Sequence, residues 1–155
     1  MRDIVNCLWF DGQGRQAAIF YTGIFPESGL LGDVSLEAPA ALEREPAIVE
    51  FVLKGRRFIA LNGGPQYSFS EAASFQVLCE DQSEVDHYWS GLTDGGEEGQ
   101  CGWLKDRFGV SWQVVPVRLG ELLSDSDPEV VNRVVEAFMA MRKLDIAVIE
   151  AAAAG

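Results

Sequence analysis

The stretch GWLKDRFGVSWQ, residues 102–113, decides the fold because an earlier stretch, FVLKGRRFIALN at residues 51–62, repeats its pattern. Moving the earlier stretch by 51 residues superposes Leu53-Lys54 on Leu104-Lys105 and Arg56 on Arg107. Each stretch alternates apolar and polar residues around a short polar turn, which is typical of a β-hairpin. The sequence therefore predicts two related hairpins.

The segments in front of the two hairpins repeat as well. A shift of 68 residues places the strand pattern NCLWF (6–10) on SFQVL (74–78) and Phe20-Tyr21 on Tyr88-Trp89. Internal similarity of this kind indicates a duplicated structural unit. The two shifts differ because the first half has the longer middle loops.

Helical spacing of apolar residues follows each of these strands. RQAAIFYTGIF (15–25) and SEVDHYWSGL (83–92) are predicted helices. Residues 30–39 are expected to hold a further strand. Each half is thus predicted to be a βαβββ unit.

The chain has 155 residues, 48% of them apolar, which is enough to build one domain with a sizeable core. The predicted fold class is α+β, with tandem βαβββ modules that form a curved mixed sheet around a cavity. The single domain covers 1–155, with modules at 1–66 and 67–119 and a C-terminal helical extension at 120–155.

The C-terminal extension begins with a helix-start signal. Asp127-Pro128-Glu129 supplies a capping carboxylate, a proline in the first turn and an acid at the positive end of the helix dipole. An apolar stripe follows at helical spacing: Val131, Val134, Phe138 and Met141. Such a stripe must pack on its own domain or on a second subunit. A homodimer is expected, since exposed sheet edges and an uncovered apolar stripe both need covering.

Alternation along the strands predicts which side chains line the cavity. The expected lining is Asn6, Leu8, Phe10, Asn62, Ser74, Gln76 and Gln113, with Cys101 and Trp103 at the mouth. A structure that places Asn62 and Gln113 on opposite kinds of sheet face would contradict this grouping.

Other groups that could carry chemistry each have an ordinary structural interpretation. Cys101 is a candidate nucleophile or a half-buried structural thiol. Glu97-Glu98 is a candidate base or a solvated pair in a glycine-rich loop. His87, the only histidine, is expected at the surface of the second helix. Catalytic residues are therefore not identified.

The charge balance restricts the possible partners. The chain has 24 acidic and 12 basic residues, a net charge of -12. Nucleic acids and anionic membrane surfaces are not expected as partners because both require a basic footprint. The acidity suits a cationic ligand, or serves only to keep the protein soluble. No apolar run approaches the ~20 residues of a membrane span.

Three cysteines, Cys7, Cys79 and Cys101, show no CxxC spacing and are odd in number. This pattern is typical of reduced thiols rather than of a disulfide framework or a zinc site. The N-terminal sequence meets charged and amide residues too early for a signal peptide. A cytoplasmic location is expected.

The order of these blocks resembles the vicinal oxygen chelate superfamily, which includes glyoxalase, bleomycin-resistance proteins and extradiol dioxygenases. The closest resemblance is to its PhnB-like branch, described as 3-demethylubiquinone methyltransferase-like domains. The matching segments are LWFDGQGRQAAIFYTGIF (8–25), residues 61–93, QCGWLKDRFGVSWQVVP (100–116) and MRKLDIAVIEAA (141–152). The resemblance implies paired βαβββ modules and a homodimer.

In metal-using members of that superfamily, His or Glu ligands come from four strand positions. The resemblance assigns these positions to Asn6, Asn62, Ser74 and Gln113, all of which are neutral here. A divalent ion needs anionic or imidazole donors, so no metal and no cofactor are expected.

The functional prediction is a protein that binds a small organic ligand. The alternative is a metal-independent isomerase or lyase that uses Cys101 or Glu97-Glu98. A methyltransferase activity is not expected, because no glycine-rich strand-to-helix loop followed by an acid is present.

Overall fold

The computed structural model describes residues 4–34 and 46–155. The chain divides into two compact units, Met1–Phe69 and Ser70–Gly155.

The first unit has the element order βαβββ. Its elements are β1 (Asn6–Phe10), α1 (Gly14–Ile24), β2 (Gly29–Val34), β3 (Ile48–Leu53) and β4 (Arg56–Asn62). The sheet order is β1-β4-β3-β2, with β1 parallel to β4 and the other pairs antiparallel. The strand predicted within 30–39 is β2 as far as Val34, and residues 35–39 lie outside the described residues.

Aromatic packing between α1 and the sheet forms the core of the first unit. Tyr21 is fully buried on α1 and stacks on Phe51 with ring centroids 6.1 Å apart. Phe51 in turn stacks on Phe58 at 5.2 Å. These side chains share one sheet face because Phe51 and Phe58 are register partners on β3 and β4. Burial of large aromatic surfaces is the main stabilising term here.

The second unit repeats this order. Its elements are β5 (Phe75–Cys79), α2 (Gln82–Thr93), β6 (Glu97–Glu98), β7 (Trp103–Lys105) and β8 (Ser111–Pro116). The sheet order is β5-β8-β7-β6, again with the outer β5 parallel to β8. Asp81 caps α2 by accepting a hydrogen bond from the Glu84 amide at 2.9 Å. The predicted tandem βαβββ modules are confirmed.

Three helices follow the second sheet: α3 (Val117–Leu123), α4 (Pro128–Met139) and α5 (Ile146–Ala154). The predicted helix start is observed, since the Asp127 carboxylate accepts from the Glu129 amide at 2.9 Å and Pro128 is the first helical residue. Their shared core consists of Leu119, Leu122, Val134, Leu144 and Ile149.

The C-terminal stripe packs inside the second unit, to which it belongs. Val134 is fully buried, and Phe138 and Met141 pack against the same cluster. The Gln82 side chain on α2 holds the segment before α5 from both sides: its Nε2 donates to the Leu144 carbonyl at 3.1 Å, and its Oε1 accepts from the Ile146 amide at 2.9 Å. The sequence left open whether this stripe packs on its own domain or on a second subunit. Most of the stripe packs within its own chain.

Within residues 4–34 and 46–155, none of the helices has the length and apolar content that crossing a bilayer requires.

Candidate functional site

The second sheet presents a row of polar side chains on the face opposite α2. Gln113 on β8 is the register partner of both Gln76 on β5 and Trp103 on β7, so the three side chains lie side by side. The neighbouring β8 residues Trp112 and Val114 point the other way and are buried. This alternation is typical of a β-strand, and it places Gln113 on one face with Gln76, the residue with which the sequence analysis grouped it.

A cavity of about 750 Å³ lies against this row, and we refer to it as the second-unit cavity. Its volume is within the range of small-molecule sites. It is lined by Gln76, Leu78, Gln100, Cys101, Trp103, Gln113, Val115, Pro116, Val117, Leu119, Gly120, Leu123, Phe138 and Met139.

Hydrogen bonds fix the two amides of the row, Gln76 and Gln113. Gln113 Nε2 donates to Ser74 Oγ at 2.8 Å, and Gln76 Nε2 donates to Gln113 Oε1 over a long 3.5 Å. The Ser74 hydroxyl therefore sets the orientation of the Gln113 amide. We refer to Gln76 and Gln113 as the amide pair.

Much of the apolar wall of the second-unit cavity comes from helices. Leu119, Gly120 and Leu123 belong to α3, and Phe138 and Met139 belong to α4. Leu123 and Met139 are also exposed on the surface. This wall was not predicted from the sequence, although the apolar helical stripe that contains Phe138 indicated a packing surface there.

Cys101 enters the wall through an unusual backbone conformation. Its φ of 58° is in the left-handed region, which is costly for a residue with a side chain. The amide of Cys101 donates to the Met141 carbonyl and that of Gly102 to the Arg142 carbonyl, both at 2.8 Å. These bonds stabilise the turn and place the thiol 3.5 Å from Met139 Sδ. Cys7, Cys79 and Cys101 are all free thiols.

Asn62 has a structural role in the first unit. Its Oδ1 accepts from the Gly14 amide at the start of α1, and its Nδ2 donates to the Pro46 carbonyl, both at 2.8 Å. A Cβ at Gly14 would come within 2.9 Å of that oxygen, so the approach of helix to strand depends on this glycine. The Asn62 amide therefore joins α1 to the sheet.

Asn62 therefore lies on the sheet face that α1 covers, whereas Gln113 lies on the face opposite α2. Their grouping as equivalent lining residues is wrong. The reason is the length of the hairpin turns. In the first hairpin Leu53 pairs with Arg56 across a two-residue turn, whereas in the second Lys105 pairs with Ser111 across five residues. A constant shift of 51 therefore aligns the strands before the turn but not those after it.

The other first-unit residues predicted to line a cavity have environments of their own. Leu8 pairs with Ala60, whose Cβ lies close to α1, so Leu8 is on the helix-covered face and is buried. Phe10 is also buried and contacts Phe69 edge to face at 5.3 Å. Asn6 is partly buried at the start of β1. Four of the predicted residues line the second-unit cavity: Gln76, Cys101, Trp103 and Gln113. The hydroxyl of Ser74, a fifth predicted residue, is hydrogen-bonded to Gln113.

The four positions that the family resemblance assigns to metal ligands do not fit a divalent ion. Asn62 uses its oxygen and its nitrogen in bonds to the backbone. Ser74 and Gln113 bond to each other, and none of the four carries an anionic or imidazole donor. Among the described residues, no group of three or more His, Cys, Asp or Glu side chains is arranged to hold a metal ion.

The acidic pair and the histidine lie outside the cavity lining. Glu98 Oε1 accepts from Trp89 Nε1 at 3.0 Å, and its Oε2 lies 3.7 Å from Arg142 Nη1. Glu98 therefore links β6 to α2. His87 is on α2, with its ring 5.0 Å from that of Tyr88.

Comparison with protein families gives one match over most of the chain. A family model described as "3-demethylubiquinone-9 3-methyltransferase" matches residues 2–115. No curated protein matches the chain significantly.

Solved structures share the fold. One, from Bacillus cereus, is described as "Putative 3-demethylubiquinone-9 3-methyltransferase, PhnB protein"; it is 26% identical, the match covers 75% of this chain and 100% of that one, and the TM-score is 0.68. A protein from Pseudomonas aeruginosa is 20% identical over 75% of this chain and 98% of its own, with a TM-score of 0.63. The fosfomycin resistance protein FosX from Mesorhizobium loti is 14% identical over 81% and 99%, with a TM-score of 0.57. The last two show similarity of fold alone.

Proposed function

Because this chain belongs to the 3-demethylubiquinone-9 3-methyltransferase family, in the PhnB-like branch of the glyoxalase/bleomycin-resistance superfamily, we propose that it binds a small organic molecule in the second-unit cavity. The observation that carries the proposal is the cavity itself. A volume of about 750 Å³, an apolar wall and a few fixed polar groups are the usual features of a small-molecule site.

The methyl transfer in the family's name is not part of the proposed function. Each unit has a mixed sheet in which the first and last strands are parallel and the others antiparallel. A Rossmann-type methyltransferase has an open, mostly parallel sheet with a glycine-rich loop after its first strand. The fold of the described residues favours binding without methyl transfer.

The proposal includes a cavity without metal or cofactor, and a cytoplasmic location. The neutral donors of Ser74 and Gln113 support the first part, because they cannot compensate the dehydration of a divalent ion. Elemental analysis of protein purified without chelators should show much less than one equivalent of nickel, zinc, manganese or iron. The free thiols of Cys7, Cys79 and Cys101 suit a reducing compartment.

An enzyme acting through Cys101 is the second candidate, since the thiol lies in the cavity wall. Its sulfur contacts the Met139 carbonyl and thioether, neither of which can act as a base. Turnover of a bound compound that is lost in Cys101→Ser would favour this candidate. Turnover that survives this change would exclude a nucleophilic role for the thiol.

Gly120 allows a direct test of the binding site. It lines the second-unit cavity on α3, and a Cβ added there has no neighbour within 4 Å, so a larger side chain can extend without a clash. Gly120→Leu should fill part of the cavity and weaken binding of compounds found in a thermal-shift screen.

The matched control is Gly23→Leu. Gly23 also lies in a helix, α1 of the first unit, with nothing within 4 Å of an added Cβ. Both substitutions raise helix propensity by a similar amount, so only the cavity distinguishes them. Compounds that bind equally to both variants would place the site elsewhere, and a screen without any hit would count against the proposed function.

A further inference from the structure

Within the proposed function, on which this inference rests, we infer that the second-unit cavity selects neutral molecules with an apolar body and an amide-like group. Ammonium and carboxylate analogues with the same apolar body are rejected. The inference narrows the ligand class and replaces the cationic ligand that the acidic composition suggested.

The cavity wall differs in charge from the chain as a whole. Charged residues make up 23% of the chain, yet none of the described side chains that line the cavity is charged. An ion that enters such a cavity loses hydration and gains no partner of opposite sign, which costs far more than the transfer of a neutral group.

The net charge of -12 does not compensate this loss. Its effect on a cation is long-range attraction to the surface, which salt screens over a Debye length of about 10 Å. Attraction of this kind speeds the encounter, but it does not replace a carboxylate in contact with the bound cation. Selection at the site therefore depends on the groups in the wall.

The amide pair has more hydrogen-bonding capacity than its observed bonds use. A carboxamide has two N–H donors and a carbonyl oxygen that accepts two bonds. The bonds observed for Gln76 and Gln113 use one N–H of each and one acceptor position of Gln113. The pair retains both donors and acceptors, and an amide or lactam offers the matching set.

Aromatic side chains of the cavity lie near the amide pair and in the wall supplied by α4. Trp103 lies beside Gln113 in the same row, and Phe138 lies in the wall supplied by α4. Aromatic side chains at these positions favour a flat apolar body whose polar group reaches the amide pair. The two requirements together define the ligand class.

Three probes with the same naphthalene body and polar groups of similar size test the inference: 2-naphthamide, 2-naphthylmethylammonium and 2-naphthoate. Binding is measured by isothermal titration calorimetry with the full chain at pH 7. The amide should bind at least about tenfold more tightly than either ion, a ratio that calorimetry resolves easily.

Gln76→Glu should shift the selection toward the cationic probe. Gln76 is exposed at one end of the amide pair, so the substitution leaves the core intact. The new carboxylate accepts hydrogen bonds only, so the ammonium probe should gain about tenfold in affinity and the naphthoate should lose any remaining binding. Gln16→Glu, at an exposed position on α1 of the first unit, adds the same charge and should leave all three affinities unchanged.

Equal affinities for the three probes that Gly120→Leu weakens would leave the proposed cavity in place and overturn the selection. Tightest binding of the ammonium probe by the unmodified chain would also overturn it. Failure of all three probes to bind would reject the inference, whereas the proposed site would be rejected only if the thermal-shift screen also gave no hit.

Discussion

The indole nitrogen of Trp112 donates a hydrogen bond to Asp106 Oδ2 at 2.8 Å, and both residues are only 3% exposed. The second carboxylate oxygen, Oδ1, accepts from the amides of Phe108 at 2.8 Å and Val110 at 3.1 Å. One buried carboxylate thus satisfies three donors and holds the turn between β7 and β8. This turn is longer than its counterpart in the first unit, and Asp106 supplies its internal support.

Asp106→Ala should lower the free energy of unfolding by about 3 kcal/mol, because it leaves several buried donors without an acceptor. Urea denaturation followed by tryptophan fluorescence measures the change. The control is Asp11→Ala, which removes an exposed carboxylate and should alter stability by less than about 0.5 kcal/mol. Equal effects of the two substitutions would show that the turn does not depend on Asp106.

Gln82→Ala should loosen the C-terminal helix α5. The substitution removes the bonds to the Leu144 carbonyl and the Ile146 amide. Hydrogen exchange of amides 144–150 should become faster while exchange in the first unit stays unchanged.

Lys143→Ala is the control for Gln82→Ala. Lys143 Nζ lies 2.6 Å from Asp86 Oδ1 in an exposed ion pair, which also joins the segment before α5 to α2. Exposed pairs contribute little, so its loss should barely change the exchange rates. Faster exchange in Lys143→Ala than in Gln82→Ala would assign the attachment of the tail to the ion pair.

Stability at alkaline pH should depend on Tyr88. Burial raises the pKa of this phenol above its ordinary value of 10.0, and electrostatic interactions with Glu84 and Cys79 raise it further. Between the ordinary and the raised pKa, the folded chain keeps a proton that the unfolded chain loses. The free energy of unfolding therefore falls as the pH rises through this window.

Tyr88→Phe removes this titration, so its stability should decline less than that of the unmodified chain between about pH 9 and pH 11. Urea unfolding at several pH values gives the two slopes. Tyr67→Phe, a change at a tyrosine that is 69% exposed, serves as control and should keep the original slope. Identical slopes for all three proteins would exclude the buried phenol as the cause.

Homodimerisation remains a prediction. It is supported by apolar side chains that stay exposed on the second unit, including Leu78, Met139 and Val148. Light scattering should give roughly 34 kDa, twice the 17.0 kDa of one chain. A mass of one chain at micromolar concentration would show that these side chains face solvent.

The sequence predicted the fold better than the site. The matched hairpins and helices required two βαβββ units, and the pairing of β1 with β4 and of β5 with β8 agrees with this. Strand alternation also placed Gln76 and Gln113 on one face, where they are register partners. It failed for Asn62, because the residue count of a turn changes the register of every residue after it. Helix docking was also beyond prediction, since the apolar stripe at Val134 and Phe138 identifies a buried face without identifying what covers it.

The parallel pairing of first and last strands has a consequence for protein synthesis. In the first unit Asn6 pairs with Phe58, and in the second Phe75 pairs with Trp112. Neither sheet can be completed until its last strand has left the ribosome, and such distant contacts form slowly. A nascent chain that ends after residue 64 already contains all four strands of the first unit. One that ends before residue 111 exposes β5 without its partner, so this interval of elongation is where the nascent chain most needs protection from aggregation.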